Sequence, residues 1–288
     1  MKRRFNFWIF ALAAVLVLTG CQKKTAIKGV SLDVVFTEST LTDNLITEVT
    51  YTWKTGKDLE KFSRDYHVFV HFWHNDNMIL QDDHAPMPPT SSWEPDKTYA
   101  VTRRIYLPKF IDEFNPQFKG EETLRLSVGL VNPFDRSGDP PREVLVQKLK
   151  VVPPPIGTPE IIYESGWYDL ETDQNAPLKQ WRWTAKEAKC IIDNPRRDAV
   201  LVIKGAANIA DVKDQKIIFK INDLTVDEFI PGESLFEKTY RIQKEMLGDK
   251  DEFILSIGAN PSFIPADIRP ASKDARELGL QVSFIYFR

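Results

Sequence analysis

The chain has 288 residues, with 38 Lys or Arg against 41 Asp or Glu and a net charge of −3, a balance that gives no electrostatic reason to expect a nucleic-acid partner. The 42% hydrophobic and 11% aromatic content excludes a disordered chain, and two cysteines are too few for a disulfide scaffold. No apolar run reaches the roughly 20 residues of a spanning helix, which excludes a multi-span membrane protein.

The first 21 residues have the layout of an export signal. Residues 1–4 are Met-Lys-Arg-Arg and residues 5–19 are almost wholly apolar, as in the charged and apolar regions of a secretory signal. Leu18-Thr19-Gly20-Cys21 comes next, and this tetrapeptide resembles the lipobox of bacterial lipoproteins. The resemblance implies that the Cys21 thiol receives a diacylglyceryl group and that cleavage makes Cys21 the first residue.

Anchoring by acyl chains follows from this resemblance. Stable anchoring requires two lipid signals, and a lipoprotein carries two or three chains. We therefore expect residues 1–20 to be a signal peptide and 21–28 a tether, in an exported protein held at a membrane through Cys21. Loss of three basic residues with the signal would change the net charge from −3 to −6. In Gram-negative lipoproteins an Asp directly after the lipidated Cys favours the inner membrane, so Gln22 favours the outer membrane or periplasmic face if the cell is Gram-negative.

Four prolines within residues 153–159 predict a boundary between two globular units, because proline interrupts both strand ladders and helices. We predict a Pro-rich linker over 153–159, an immunoglobulin-like sandwich over 29–152 and a jelly-roll-like sandwich over 160–288. The predicted fold class is all-β, with two β-sandwich domains.

Alternating apolar and polar residues, rich in Val, Ile, Thr and aromatics, predict the strands of both halves. The first half has seven such segments, as expected for an immunoglobulin-like or fibronectin-like sandwich: 30–37, 46–53, 67–74, 78–82, 99–107, 123–131 and 144–152. The second half has nine, as expected for a jelly roll: 160–163, 181–184, 188–192, 199–204, 216–222, 224–229, 236–242, 252–258 and 279–287. A hairpin turn is predicted at Asn222-Asp223, and short helical segments over 109–118 and over 243–247 or 273–278.

All four histidines fall within residues 67–84. On a helix, His67 and His71 would share a face and grip one metal ion, but the aromatic and β-branched sequence around them favours a strand. Four residues of strand span about 13 Å, too far for two side chains to share a zinc ion. We therefore expect no metal site and no cofactor.

The same segment predicts a hairpin that turns at residues 75–77. With Phe72 opposite Leu80, His74 pairs with Met78 and His84 falls opposite Val68, so this register brings no two histidines together.

The predicted strand 67–74 carries an aromatic stripe on the face opposite residues 68, 70 and 72. Two interpretations remain open. The stripe is covered by residues 109–118 or by the second sandwich, or it is a candidate interaction face formed by Phe69, His71 and Trp73.

A second aromatic group lies in the C-terminal half. Trp181 and Trp183 are two residues apart and hence on one side of a strand. Flat aromatic rings stack on the C–H faces of sugars, and nearby Glu or Arg side chains bind hydroxyl groups. The candidate ligand-binding residues are Trp167, Tyr168, Glu171, Trp181, Arg182 and Trp183. In the alternative interpretation the two tryptophans belong to the core. Arg269 and residues 274–279 either lock a long loop through charge pairs or belong to the ligand site.

The order of Gly166-Trp167-Tyr168, Glu171, Trp181-Arg182-Trp183-Thr184 and residues 274–280 resembles β-sandwich modules that accompany bacterial envelope glycosyltransferases. The resemblance covers about 160–288. Residues 68–72, 82–86 and 128–130 make the first half similar to another sandwich module of that setting. Because the sequence shows no transferase domain or multi-span region, the resemblance implies a non-catalytic accessory module near surface glycans.

Two functions are therefore expected from the sequence. The first is a non-enzymatic, lipid-anchored cell-envelope protein whose C-terminal sandwich binds a glycan or polysaccharide. The alternative is a structural or scaffolding lipoprotein that docks an envelope protein complex. A hydrolase or metal protein using the histidines is a third hypothesis, although no catalytic motif supports it. Cys190, in an apolar run, is predicted to be a buried side chain and not a nucleophile.

Overall fold

The computed structural model describes residues 27–132, 134 and 141–288, and these residues are almost entirely β-structure. This confirms the predicted all-β fold class. The predicted signal peptide, residues 21–26 of the predicted tether and the lipidation site Cys21 lie outside the described residues, so these assignments stay predictions.

The strands within residues 30–152 form two facing sheets, ordered β1-β3-β6 and β2-β8-β7-β4-β5. Strand β2 runs parallel to β8, whereas the other named pairs in these sheets are antiparallel. The first strand is thus divided between both sheets, an immunoglobulin-like arrangement. The bounds are β1 Val30–Phe36, β2 Leu41–Thr42, β3 Leu45–Thr55, β4 His67–His74, β5 Asn77–Gln81, β6 Thr98–Leu107, β7 Glu122–Val131 and β8 Arg142–Val152.

The core of this first sandwich follows the period of two. Val49, Tyr51 and Trp53 on β3 are at most 2% exposed, while the intervening threonines are half-buried. On β4 the same rule buries Val68 and Phe72. Burial of these side chains is the main stabilising contribution to the sandwich.

The strands within residues 161–287 form a second pair of sheets, ordered β10-β11-β18-β13-β16 and β15-β14-β17-β12-β9. Numbered one to eight from β11 to β18, they give the orders 1-8-3-6 and 2-7-4-5, which is a jelly roll with one added strand on each sheet. The bounds are β9 Ile161–Tyr163, β10 Trp167–Asp173, β11 Ala176–Thr184, β12 Glu187–Asp193, β13 Ala199–Ala206, β14 Lys216–Ile221, β15 Leu224–Phe229, β16 Leu235–Ile242, α1 Lys244–Leu247, β17 Glu252–Asn260, α2 Pro265–Ile268 and β18 Gln281–Phe287.

Two strands, β2 and β10, were not predicted from the sequence. Strand β2 has only two residues, and β10 has register shifts against β11 that break its alternation. Strand β11 also begins five residues earlier than predicted. The predicted turn at Asn222-Asp223 is confirmed, with Asn222 at a positive φ of 52°.

Of the predicted helices, only residues 243–247 form one, as α1. The helical turn expected over 109–118 is wrong: residues 112–118 form two successive turns in which the side chains of Asp112 and Asn115 accept backbone N–H bonds two residues ahead. The helix expected over 273–278 is also wrong, because Leu278 pairs with Phe263 in an isolated bridge.

The two sandwiches touch through side chains of β6 and β18. The rings of Tyr106 and Phe284 stack with centroids 4.3 Å apart at an angle of 19°. Beside this stack, Arg104 lies 3.5 Å from Glu237, and Arg288 at the end of the chain donates to Thr42 at 3.3 Å. The sheet that contains β18 therefore has its core on one face and the first sandwich against part of the other.

The described part of the chain has two α-helices of four residues and a three-residue 3-10 helix, Thr90–Ser92, and none of them is long and apolar enough to cross a bilayer.

We expect Gly129→Ala to destabilise the first sandwich. A Cβ at this position would lie 2.1 Å from the carbonyl oxygen of Arg142 and 2.6 Å from the ring of Phe69. Overpacking of this kind costs about 1–3 kcal/mol, to be measured as the free energy of unfolding in urea. The control is Gly232→Ala, which adds a Cβ with no heavy atom within 4 Å. Equal stability of the two variants would contradict the packing described here.

Candidate functional site

A cleft of about 430 Å³ opens on the sheet β10-β11-β18-β13-β16, on the face that points away from the hydrophobic core. Gln281 lies in this cleft, whereas its neighbours Leu280 and Val282 belong to the core. The lining consists of two tryptophans, four charged side chains and smaller polar and apolar groups: Glu171, Trp181, Trp183, Ala206, Ala207, Asn208, Ser234, Phe263, Pro265, Arg269, Ser272, Asp274, Arg276, Leu278 and Gln281. We call this group of residues the cleft.

Strand β11 places its two tryptophans side by side in the cleft. Trp181 and Trp183 are two residues apart, about 7 Å along the strand, and both are half-buried. The Trp183 ring meets Phe263 edge to face, with centroids 6.0 Å apart. The Trp181 indole N–H donates to Glu171 Oε2 at 3.2 Å. Both rings are thus held in place while part of each stays accessible.

A charge network centred on Arg276 forms one wall of the cleft. Its Nη1 lies 2.7 Å from Glu171 Oε1, and its Nη2 lies 2.7 Å from Asp274 Oδ2. The guanidinium also sits 5.0 Å above the ring centroid of Tyr168. Hydrogen bonds from Arg276 hold the pKa of the Asp274 carboxyl below its usual value. Asp274 and Arg276 are therefore an ionised pair at neutral pH.

The loop between β17 and β18 supplies most of this wall, and both of its ends are fixed. The Gln215 side chain is 1% exposed and its amide N–H₂ donates to the carbonyls of Pro261 at 2.9 Å and Gly279 at 3.3 Å. The hydroxyl of Thr184 accepts from the N–H of Leu280 at 2.9 Å. In sequence, Gln215 carried no signal of this role.

Of the six residues predicted from sequence to bind a ligand, three line the cleft: Glu171, Trp181 and Trp183. Tyr168 supports the wall from beneath Arg276 and donates its hydroxyl to the carbonyl of Glu277 at 2.9 Å.

The other two lie elsewhere. The Trp167 indole packs against the core and donates to the carbonyl of Lys189 at 2.9 Å. Arg182 alternates with the two tryptophans, and its guanidinium lies 4.9 Å from the centroid of Tyr163.

The charged residues of the loop between β17 and β18 have both of the roles that the sequence left open: they lock the loop and they line the ligand site. Arg276 with Asp274, and Arg269 with Asp211 at 2.5 Å, close the loop through ion pairs. Arg269, Asp274 and Arg276 also line the cleft. Asn208 and Ser234 add amide and hydroxyl groups from connections that sequence patterns did not single out.

The histidines are dispersed along the first sandwich. Phe72 pairs with Leu80 and Val68 with His84, as predicted. His74 pairs with Asn77 and not with Met78, because the register shifts between Phe72 and Trp73. Among the described residues, no group of three His, Cys, Asp or Glu side chains is arranged to hold a metal ion.

His84 belongs to a polar cluster under β3 and β6. Arg103 donates three hydrogen bonds to Asp82 at 2.7–2.9 Å, and the Tyr51 and His84 rings lie 5.4 Å apart. Burial is the main cause that lowers the pKa of His84. The arrangement ties the β5–β6 connection to the core.

The aromatic stripe of β4 is partly closed by its own sandwich. Phe69 is 5% exposed because its ring fills the space beside Gly129. Arg125 lies over the Trp73 ring at 5.1 Å, and His71 is 3.3 Å from Asp83. Phe110 of residues 109–118 contacts His74. Because His74 points to the opposite side of β4 from His71 and Trp73, this contact does not cover the stripe as the sequence led us to expect. His71 and Trp73 remain half-exposed.

Cys190 is free and fully buried, and burial raises its thiol pKa to about 12. A thiolate nucleophile at neutral pH is therefore not available at this position.

No family model matches the chain, and no curated protein does. Among solved structures, a β-glucuronidase of Bacteroides uniformis is similar over 89% of this chain at 10% identity and a TM-score of 0.32. A red sea bream transglutaminase is similar over 82% at 7% identity and a TM-score of 0.25. This chain spans about 30% of the length of each.

We expect the free energy of unfolding to fall in mild acid because His84 becomes protonated. Its folded-state pKa is depressed, so the unfolded chain, with a pKa of about 6.5, binds the proton more tightly. This contribution to stability is present above pH of about 6.5 and is lost as the pH falls towards the folded pKa. Urea unfolding at pH about 7.5 and 5.5 should show a larger loss for wild type than for His84→Gln. An equal loss in both proteins would assign the effect to other groups.

Proposed function

We propose that this chain is a non-catalytic, lipid-anchored envelope protein whose second sandwich binds a glycan in the cleft. The observation that carries the proposal is the pair Trp181 and Trp183, half-exposed and side by side in an open cleft with polar groups around them. Such rings offer flat apolar faces to the C–H faces of sugars, with little conformational entropy to lose.

The polar lining supports the same ligand class. Asn208, Ser234 and Gln281 lie along the cleft. The Asn208 amide already donates to Asp211 at 3.1 Å and the Ser234 hydroxyl to the carbonyl of Ala207 at 3.0 Å, so these two offer chiefly acceptor oxygens, whereas the Gln281 amide can both donate and accept. A sugar presents hydroxyl groups around an apolar ring and needs both kinds of partner. A cleft of this size lies within the usual range for small-ligand sites.

The ionic wall supports binding without catalysis. A general acid in a glycosidase requires a carboxyl whose pKa is raised, whereas the pKa of Asp274 is lowered by Arg276. Arg276 also bridges Glu171 and Asp274, so both carboxylates of the wall are already engaged in ion pairs.

We expect Trp181→Ala and Trp183→Ala to weaken glycan binding by about fivefold or more, because loss of a stacked ring removes about 1 kcal/mol or more of contact energy. The measurement is a glycan array followed by calorimetric titration of the best oligosaccharide. Trp73→Ala is the matched control, since it removes a half-exposed tryptophan from the other sandwich. Binding that survives both cleft substitutions would reject the proposal.

The scaffolding alternative is supported by Trp73 and His71, which are half-buried and keep part of each side chain accessible. The neighbouring strand β5 is the edge of its own sheet, although it contacts β11 of the second sandwich. If the protein docks an envelope complex through this face, Trp73→Ala will abolish partner capture while Trp181→Ala leaves it intact. The same three variants therefore separate the two functions.

The anchor is tested at Cys21. We expect mass spectrometry of the mature protein to find an acylated Cys21 as the first residue, and Cys21→Ser to move the protein from the membrane fraction to the aqueous one. An intact leader peptide without an acyl adduct would reject this part of the proposal. Glycan binding by the cleft would be unaffected by that result.

A further inference from the structure

The charged side chains of the cleft are already paired with oppositely charged neighbours, either within the cleft or beside it. Arg276 uses Nε, Nη1 and Nη2 on Glu171 and Asp274. Arg269 uses Nε and Nη2 on Asp211. Each guanidinium in the lining therefore has a carboxylate partner within hydrogen-bond distance.

An anionic sugar would have to displace one of these partners. An arginine binds a carboxylate tightly when two parallel N–H groups are free to form a fork. In Arg276 the Nε and Nη2 pair is already engaged by Asp274, and Nη1 by Glu171. A uronic acid or sulfated sugar gains nothing here that the resident carboxylates do not already have.

The surroundings also carry an excess of negative charge. A second cavity adjoins the cleft at Phe263, and its lining includes Asp211, Asp267, Glu277 and Lys213. The two linings together hold five carboxylates against three cations. A polyanion would meet net repulsion, which is strongest at low salt.

Within the lining of the cleft itself, a cationic sugar also finds no carboxylate without a partner. Glu171 Oε2 accepts from the Trp181 indole and Oε1 from Arg276. Asp274 accepts from both the guanidinium and the backbone N–H of Arg276. The carboxylates that an ammonium group would seek are thus committed to the wall of the cleft.

From this closed charge network we infer that the ligand of the cleft is an uncharged oligosaccharide, recognised by stacking on Trp181 and Trp183 and by neutral hydrogen bonds. The inference rests on the proposed glycan function and adds its ligand class. The paired charges hold the wall in shape, and Asn208, Ser234 and Gln281 contact the hydroxyl groups.

The test uses the whole mature protein on three matched sets of immobilised oligosaccharides: neutral hexose oligomers, uronic acid oligomers and de-N-acetylated glucosamine oligomers. We expect the neutral set to bind at least about tenfold more tightly than either charged set, with an affinity that changes less than twofold when salt rises from about 50 to 500 mM. Tighter binding of a charged set, or an affinity that falls steeply with salt, overturns the inference and leaves glycan binding standing. Absence of binding to all three sets rejects the proposed function and this inference with it.

A gain of binding provides an independent readout. Asp274→Asn removes the negative charge that neutralises Arg276 and replaces Oδ2, the acceptor for Nη2 at 2.7 Å, with an amide N–H₂ that cannot accept, so this variant should bind uronic acid oligomers several-fold more tightly than wild type. Asp267→Asn is the control, because it removes the same charge from the adjoining cavity without contacting Arg276 in the described structure. Equal gains in both variants would show that net charge alone excludes anions, and would overturn the role given to the Arg276 pairing. Wild-type selectivity and salt response remain decisive if Asp274→Asn does not fold.

Discussion

The alternation of core and outward residues along β18, with the one register shift that interrupts it, is the constraint on which the second sandwich depends. Leu280 and Val282 point into the core before the shift and Ile285 and Phe287 after it, so Gln281 and Phe284 both face outward. That outward face is used twice: Phe284 stacks on Tyr106 of the first sandwich, and Gln281 lines the cleft. Core packing, the contact between the sandwiches and the candidate site are therefore aligned by one strand, and a shift of its register by one residue would disrupt all three.

The long loop between β17 and β18 forms one wall of the cleft because its conformation is fixed at several points. A segment of about 20 residues between β17 and β18 loses conformational entropy when it is ordered. Buried hydrogen bonds from Gln215 fix both of its ends, and ion pairs of Arg269 and Arg276 close its middle. Because these pairs are about one-third exposed or more on at least one side, their main effect is to set shape and ligand class and not to add large stability.

Strand positions were largely predictable because alternation is a local property of the chain. The predicted segment 67–74 coincides with β4, and even the pairing of Val68 with His84 followed from counting residues across a turn. The errors have equally local causes. Register shifts break the alternation of β10, so no strand was predicted there. Residues 273–278 contain helix-forming residues, but Leu278 at the end of this run pairs with Phe263. Between β4 and β5, one unpaired residue of β5 shifts the register and changes the partner of His74.

By itself, the sequence determined the all-β class, most strand bounds and the side-by-side placement of Trp181 and Trp183, since each depends on neighbours within a few residues. Only the tertiary structure decided which aromatic residues meet. Trp167 and Arg182 turn away from the cleft, while Arg276 reaches Glu171, 105 residues earlier in the chain. Contacts across such separations depend on how sheets stack and loops close, and no periodicity in the sequence encodes them.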